Sequence, residues 1–419
     1  MSIHQSETRE SSRRFLYVVS EGFPPTVFDS QVLDHLRAME SQGICFDLVV
    51  FERLMGILPN WKRDIRQLKE VRSQINGQVY FQLLVTTFLG WDFWVPQWQL
   101  YWILKKYGRT TQKVIHARTQ TSAALALGLK KWIPKMKVIF DMRGDSPAEY
   151  LLSVEKAGAD PLASLVQRKF AKLKNIERQA VKGSDAIICV SGAMRERVLK
   201  EYGVASEKIR VVPTAASARK FNWDPAERAI VRRELGVEDE FVLIYTGSLR
   251  AYQLLEGLVD FFRKLLASRS NLHLLLITPQ KTEAEQSLHI ALPHGTYSVR
   301  SASHIEMFRW LNAADAGLLL RESNAVNQVA APTKFAEYLM CGLPVVMTAG
   351  IGDYSELATK ENAGIVLRGN EWHRELNERW GELESLVDQN SREHIARFGK
   401  QQFTHERFTG LFTTLYLGL

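Results

Sequence analysis

The stretch AGLLLRESNAVNQVAAPTKFAEYLMCGLPVVMT, residues 316–348, decides how this chain folds. It opens on a short apolar run, Ala316–Leu320, and closes on another, Val345–Thr348. Both have the length of a strand buried on both faces. Between them the sequence predicts a short helix with sharp ends. Pro332 supplies a φ suited to a first turn, Gly342 supplies the left-handed residue that stops it, and Pro344 prevents it from resuming. Strand, helix, strand in so few residues is a parallel crossover unit. The helix start at Thr333 and Lys334 would aim backbone N–H groups and a partial positive charge beyond the strand ends, where a phosphate is stabilised. Glu337, one turn further in, could accept hydrogen bonds from ribose hydroxyls there, although a helical glutamate is more usually a solvated surface residue.

The same alternation runs outward in both directions. Strands are expected at Phe15–Ser20, Cys45–Val50, Val79–Leu84, Val114–Ala117, Val138–Asp141, Ala186–Val190 and Ile209–Val212, with helices such as Asp29–Ser41, Thr121–Trp132 and Leu162–Val181 between them. After the small-residue linker Pro213–Ala218 the series restarts with Phe241–Thr246, Leu272–Ile277, Ala316–Leu320, Val345–Thr348 and Ile365–Leu367. Two such series predict two Rossmann-like α/β domains whose parallel sheets face a cleft: residues 1–213, with a C-terminal helix 404–416 expected to pack back on them, and residues 214–403.

The chain has 419 residues, with 54 Lys+Arg and 46 Asp+Glu, a net charge of +8, and 46% apolar residues. This excludes wholesale disorder and fibrous classes. Residues 1–210 hold 32 basic and 21 acidic side chains, whereas 211–419 hold 22 and 25. Residues 53–137 alone carry 15 basic residues against Asp64, Glu70 and Asp92, together with six of the ten tryptophans. Such a block suits an anionic partner, a phospholipid surface, a polyprenyl phosphate or nucleic acid; without a recognised binding motif, nucleic acid is set aside. Within it Trp94, Trp98 and Trp102 share a helix face followed by Lys105, Lys106 and Arg109, which reads either as an aromatic stripe filling the core or as residues 90–109 lying on an anionic membrane. Three dispersed cysteines without metal spacing, no apolar leader and no spanning-length apolar run lead to the expectation of a cytoplasmic protein, peripheral on the inner face of the plasma membrane.

Residues 332–346, PTKFAEYLMCGLPVV, resemble the donor-binding signature of family 4 glycosyltransferases, which have the GT-B fold. Val138–Gly144, Asp185–Ser191, Ile209–Pro213 and Tyr245–Leu249 match stretches of that family at similar spacing. The resemblance implies transfer of a sugar, with retention of configuration, from a nucleoside-diphosphate-sugar donor to a hydroxyl of a glycan or lipid-linked acceptor in polysaccharide or glycolipid biosynthesis. It implies no cofactor and no obligatory metal. Donor contacts are expected from Gly22, Gly247, Ser248, Arg250, Thr333, Lys334 and Glu337, with the Gly350–Asp353 loop nearby, and catalytic roles for Glu337 and His116. His116 ends a strand where the family often places a histidine near the transferred sugar; a satisfied core histidine is the plain alternative. Asp141, Arg143 and Asp145 follow another strand end and read equally as site residues or loop caps.

Several positions depart from the family pattern. A first glutamate eight residues before Glu337 is replaced by Val329, and an arginine and lysine usually facing the diphosphate are Ser248 and Gln253. A single glycine, Gly22, stands where a pair is usual. Arg250 and Lys334 are the candidates for the replacement cation. A GT-B nucleotide-sugar epimerase and a non-catalytic nucleotide- or glycan-binding relative are the competing readings.

Overall fold

Apolar runs of four to eight residues can be buried on both faces only if helices cover both sides of a sheet, and the computed structural model has that arrangement twice. It describes residues 13–23, 27–84, 94–108, 111–249 and 255–419. The first sheet is built from β1 (Arg13–Val19), β2 (Phe46–Arg53), β3 (Val79–Leu84), β4 (Gln112–Arg118), β5 (Lys137–Met142), β6 (Ala186–Cys189) and β7 (Ile209–Val211). Its order is β3-β2-β1-β4-β5-β6-β7, all parallel. The second contains β8 (Phe241–Thr246), β9 (Leu272–Ile277), β10 (Tyr297–Arg300), β11 (Ala316–Leu319), β12 (Val345–Thr348) and β13 (Gly364–Leu367), in the order β10-β9-β8-β11-β12-β13, also all parallel. Each order reverses once, between β1 and β4 and between β8 and β11, and at such a reversal the loops diverge to leave a crevice beyond the carboxyl ends of the strands.

β10 was not expected. Its sequence, Tyr-Ser-Val-Arg, has a single buried aliphatic, Val299, because it is an edge strand with one neighbour. The other strands fall where the apolar runs put them, within two residues, except that β2 continues three residues past Val50 to Arg53.

The two carboxyl-end faces look at each other, because the bonds joining the halves come from segments that follow strands. Ser191 Oγ, after β6, donates to Val329 O at 2.8 Å. The Asp353 carboxylate, after β12, accepts from Gly192 N at 2.5 Å and Ala193 N at 3.0 Å. Lys156 Nζ reaches Glu322 Oε1, after β11, at 2.7 Å. The helix His405–Gly418 returns to the first sheet: Tyr416 Oη meets His116 Nδ1 at 2.8 Å and His35 Nε2 at 3.0 Å, and Phe412 packs edge-on to His35.

Candidate active site

The second crevice is lined by the turn after β8 and the helix Thr333–Met340. That helix is held against the sheet by Tyr338, whose Oη accepts from Thr246 N at 3.1 Å at the end of β8. Gly317 on β11 makes the approach possible, since a Cβ there would lie 2.2 Å from the Tyr338 ring. Pro332 is the N-cap, in extended conformation, and as a proline it brings no capping side chain. The turn after β8 passes through Gly247 at φ 125°, a region other residues rarely adopt, and is pinned by Gly247 N to Ile277 O at 2.9 Å and Leu249 N to Gln280 Oε1 at 3.1 Å.

Glu337 points inward rather than to solvent. It is 8% exposed, and its Oε1 lies 3.3 Å from Nε2 of His304, itself buried. His304 was missed at the sequence level because it follows the unexpected β10, 33 residues before its partner. Lys334 lies with Nζ 4.0 Å above the Tyr245 ring. Burial pushes its ammonium well below the ordinary lysine range, the positive charge of Arg321 pushes it further, and Glu337 pulls it partly back. Arg321, at the end of β11, is buried and donates to Asn327 Oδ1 at 3.0 Å. The described cations of this crevice are therefore Lys334 and Arg321. Arg250 and Gln253 lie outside the described residues. Val329, at the position of the absent glutamate, is buried and lends its carbonyl to Ser191, and Glu322 pairs with Lys156 of the other half.

The first crevice is occupied by its own polar side chains. His116 is 1% exposed, stacked on Tyr17 at 4.4 Å, bonded to Tyr416, and 3.2 Å from Asp141 Oδ2. The structure thus encloses the ring expected beside the sugar, because the C-terminal helix covers it. Burial would raise the Asp141 carboxyl, but Arg143, His116 and Arg118 together hold it well below the usual carboxylate range. Burial pushes His116 below the ordinary histidine value despite Asp141, and lowers His35 and His405 as well. Asp145 is a helix cap, accepting from Ala148 N at 3.0 Å. Gly22, at φ 66° in the left-handed region, sits beneath the carboxylate of Glu52. Thr119, first residue after β4, has φ 69°, a strained value for a β-branched residue.

One side chain joins the crevices. Gln31 Oε1 accepts from Arg118 Nη2 at 2.8 Å and Arg143 Nη2 at 2.9 Å, while Gln31 Nε2 donates to Thr333 Oγ1 at 2.7 Å. Two guanidinium groups of the first half are thus wired to the helix start of the second.

Two facing Rossmann sheets of this kind define the GT-B class. The sucrose-phosphate synthase structure from Thermosynechococcus elongatus is similar at 14% identity and a TM-score of 0.69, covering 97% of this chain and 99% of that one. Anabaena HepE in complex with UDP is similar at 14% identity and a TM-score of 0.68, covering 97% of this chain and all of the other, and the same protein is known in complex with UDP-glucose. The model of Glycosyltransferase Family 4 matches residues 31–218 and that of Glycosyl transferases group 1 matches 240–383. The two matches together mark the chain as a glycosyltransferase of the family 4 type. A putative teichuronic acid biosynthesis glycosyltransferase, TuaH of Bacillus subtilis, is 24% identical over 198 residues, which are 46% of this chain and 47% of TuaH, so the match spans about half the length of that curated relative.

Proposed function

We propose that the protein transfers a sugar, with retention of configuration, from a nucleoside-diphosphate donor to a hydroxyl of a glycan or lipid-linked acceptor in polysaccharide or glycolipid biosynthesis. The observation that carries this reading is the second crevice: a helix start whose N-cap is a proline, Lys334 and Arg321 beside it, and a buried carboxylate one turn behind. The diphosphate sits at Thr333 and Lys334 and against the Gly247–Ser248 turn, where amide groups and the helix dipole favour negative charge. Glu337 accepts from the ribose hydroxyls, and His304 fixes its rotamer. As the bond to the sugar breaks, negative charge gathers on the departing diphosphate. Lys334 and Arg321 stabilise it directly, and Arg118 and Arg143 bias the helix start through Gln31.

The first crevice takes the acceptor. His116 acts there as a positioning residue, through the ionised Asp141 that orients Arg143. The family matches and the UDP complexes of similarly folded proteins support the donor class. A calorimetric screen of UDP, GDP, ADP and CMP tests the reading. Binding of one nucleotide at micromolar to sub-millimolar concentration is expected, and no binding of any of them would refute it.

A further inference from the structure

The helix Trp94–Lys105 is apolar on two faces, but the domain can bury only one. Pro96, Leu100, Ile103 and Leu104 turn inward and are buried. Trp94, Trp98 and Trp102 turn outward and are 58%, 53% and 45% exposed; Trp132, from the turn before β5, joins them at 46%. The rings form one continuous surface: Trp98 lies 6.1 Å from Trp102, and Tyr101 bridges Trp102 and Trp132 at 6.0 and 5.9 Å. The row from Trp94 to Trp102 is about 12 Å long. With each indole about half exposed, the patch forfeits roughly the burial free energy of two aromatic side chains, and monomeric surfaces rarely carry such a contiguous apolar patch without function.

Cations frame the patch. Lys105 Nζ lies 4.4 Å above the Trp102 ring, Lys131 Nζ 4.9 Å above Trp132, and Lys106 Nζ 5.2 Å above Tyr80. From Trp94 to Lys137 the sequence contains no aspartate or glutamate. A second copy of this chain would bring lysines against lysines, so the charge argues against self-association. Indoles side by side with lysines fit the boundary of a bilayer carrying anionic headgroups, where the ring enters the acyl edge, its N–H stays hydrated, and the ammonium groups meet phosphate.

We infer that this face, Trp94, Trp98, Trp102 and Trp132 with Lys105, Lys106 and Lys131, is a docking surface for an anionic lipid bilayer. The protein would lie on the membrane rather than cross it, and among the described residues no helix is long and apolar enough to span one. The helix belongs to the domain that carries the first crevice. Docking would hold that domain at a surface where lipid-borne acceptors reside. This consequence rests on the proposed function, whereas binding to the bilayer does not.

The test uses the full chain with vesicles of phosphatidylcholine alone or with about one third phosphatidylglycerol. Cosedimentation on the anionic vesicles at low salt, release at high salt and a blue shift of tryptophan emission are expected. Trp98→Ala/Trp102→Ala should lower partitioning at least ten-fold, and Lys105→Glu/Lys106→Glu about twenty-fold or more, near five-fold for each lysine lost. Circular dichroism and nucleotide affinity should match wild type in both variants, separating failure here from failure of the transferase reading. No binding at low salt, binding indifferent to the tryptophan pair, or a concentration-dependent dimer abolished by that pair without vesicle binding would overturn the inference.

Discussion

The two crevices arise from the same strand reversal and hold opposite contents. In the first, Arg118, Arg143, Asp141, His116 and Gln31 hold one another through ion pairs and hydrogen bonds, with only His116 Nε2 and Arg118 Nη1 of these side chains left without a hydrogen bond among the described residues, and a threonine takes the strained turn after β4. In the second, the turn after β8 goes to a glycine, the N-cap of the helix is a proline without a capping group, and burial and Arg321 work against the charge of Lys334. The scaffold alone therefore does not say where a ligand binds. A crevice whose polar groups are mutually paired resists charge removal, whereas one that gathers cationic side chains around a proline-capped helix start is arranged for an anion.

The largest effect should come from breaking the pairing in the first crevice. Asp141→Ala leaves Arg118 and Arg143 without their shared buried carboxylate and is expected to cost about 3–5 kcal/mol by denaturant unfolding. Nucleotide affinity measured on the folded variant should change by less than ten-fold, because Asp141 reaches Thr333 only through Arg143 and Gln31. In the second crevice the pattern should invert. Glu337→Gln is expected to weaken nucleoside-diphosphate binding about ten- to a hundred-fold, the value of one or two charge-assisted hydrogen bonds, while unfolding changes by less than about 1 kcal/mol. If both variants lose stability and affinity together, the contrast between the crevices is false.

The first crevice should also reveal itself by pH. His35, His116 and His405 stay neutral in the folded first half because burial lowers their proton affinity. Below about pH 6.5 the unfolded chain takes up protons that the folded chain does not, so stability rises with pH and is lost as pH falls. Each histidine contributes up to about 1.4 kcal/mol per pH unit. Melting temperature should accordingly fall between pH 7 and 5, and a flat profile over that range would count against the buried neutral cluster.

Both parallel series and the 333–340 helix were legible because apolar run length, Pro332 and Gly342 are local signals. β10 was not, since an edge strand needs only one buried aliphatic. Residues that act through distant partners were equally hidden: Gln31 meets Thr333 across 302 residues and His116 meets Tyr416 across 300. No spacing rule reaches that far. The placement of Gly247, Ser248, Thr333, Lys334 and Glu337 around one crevice came from a motif, whereas the enclosure of His116 came from a helix at the other end of the chain. The tryptophan spacing gave a shared face but not its direction, which was set by the second apolar face of Pro96, Leu100, Ile103 and Leu104 competing for the same core.

Hydrogen exchange with and without a saturating nucleoside diphosphate tests the central claim most directly, because it reports on both crevices in one experiment. Protection is expected at the amides of Thr333–Glu337 and of Gly247–Leu249, with little change at Ser20–Phe23 or Arg118–Ser122. Protection confined to the first crevice would contradict the account.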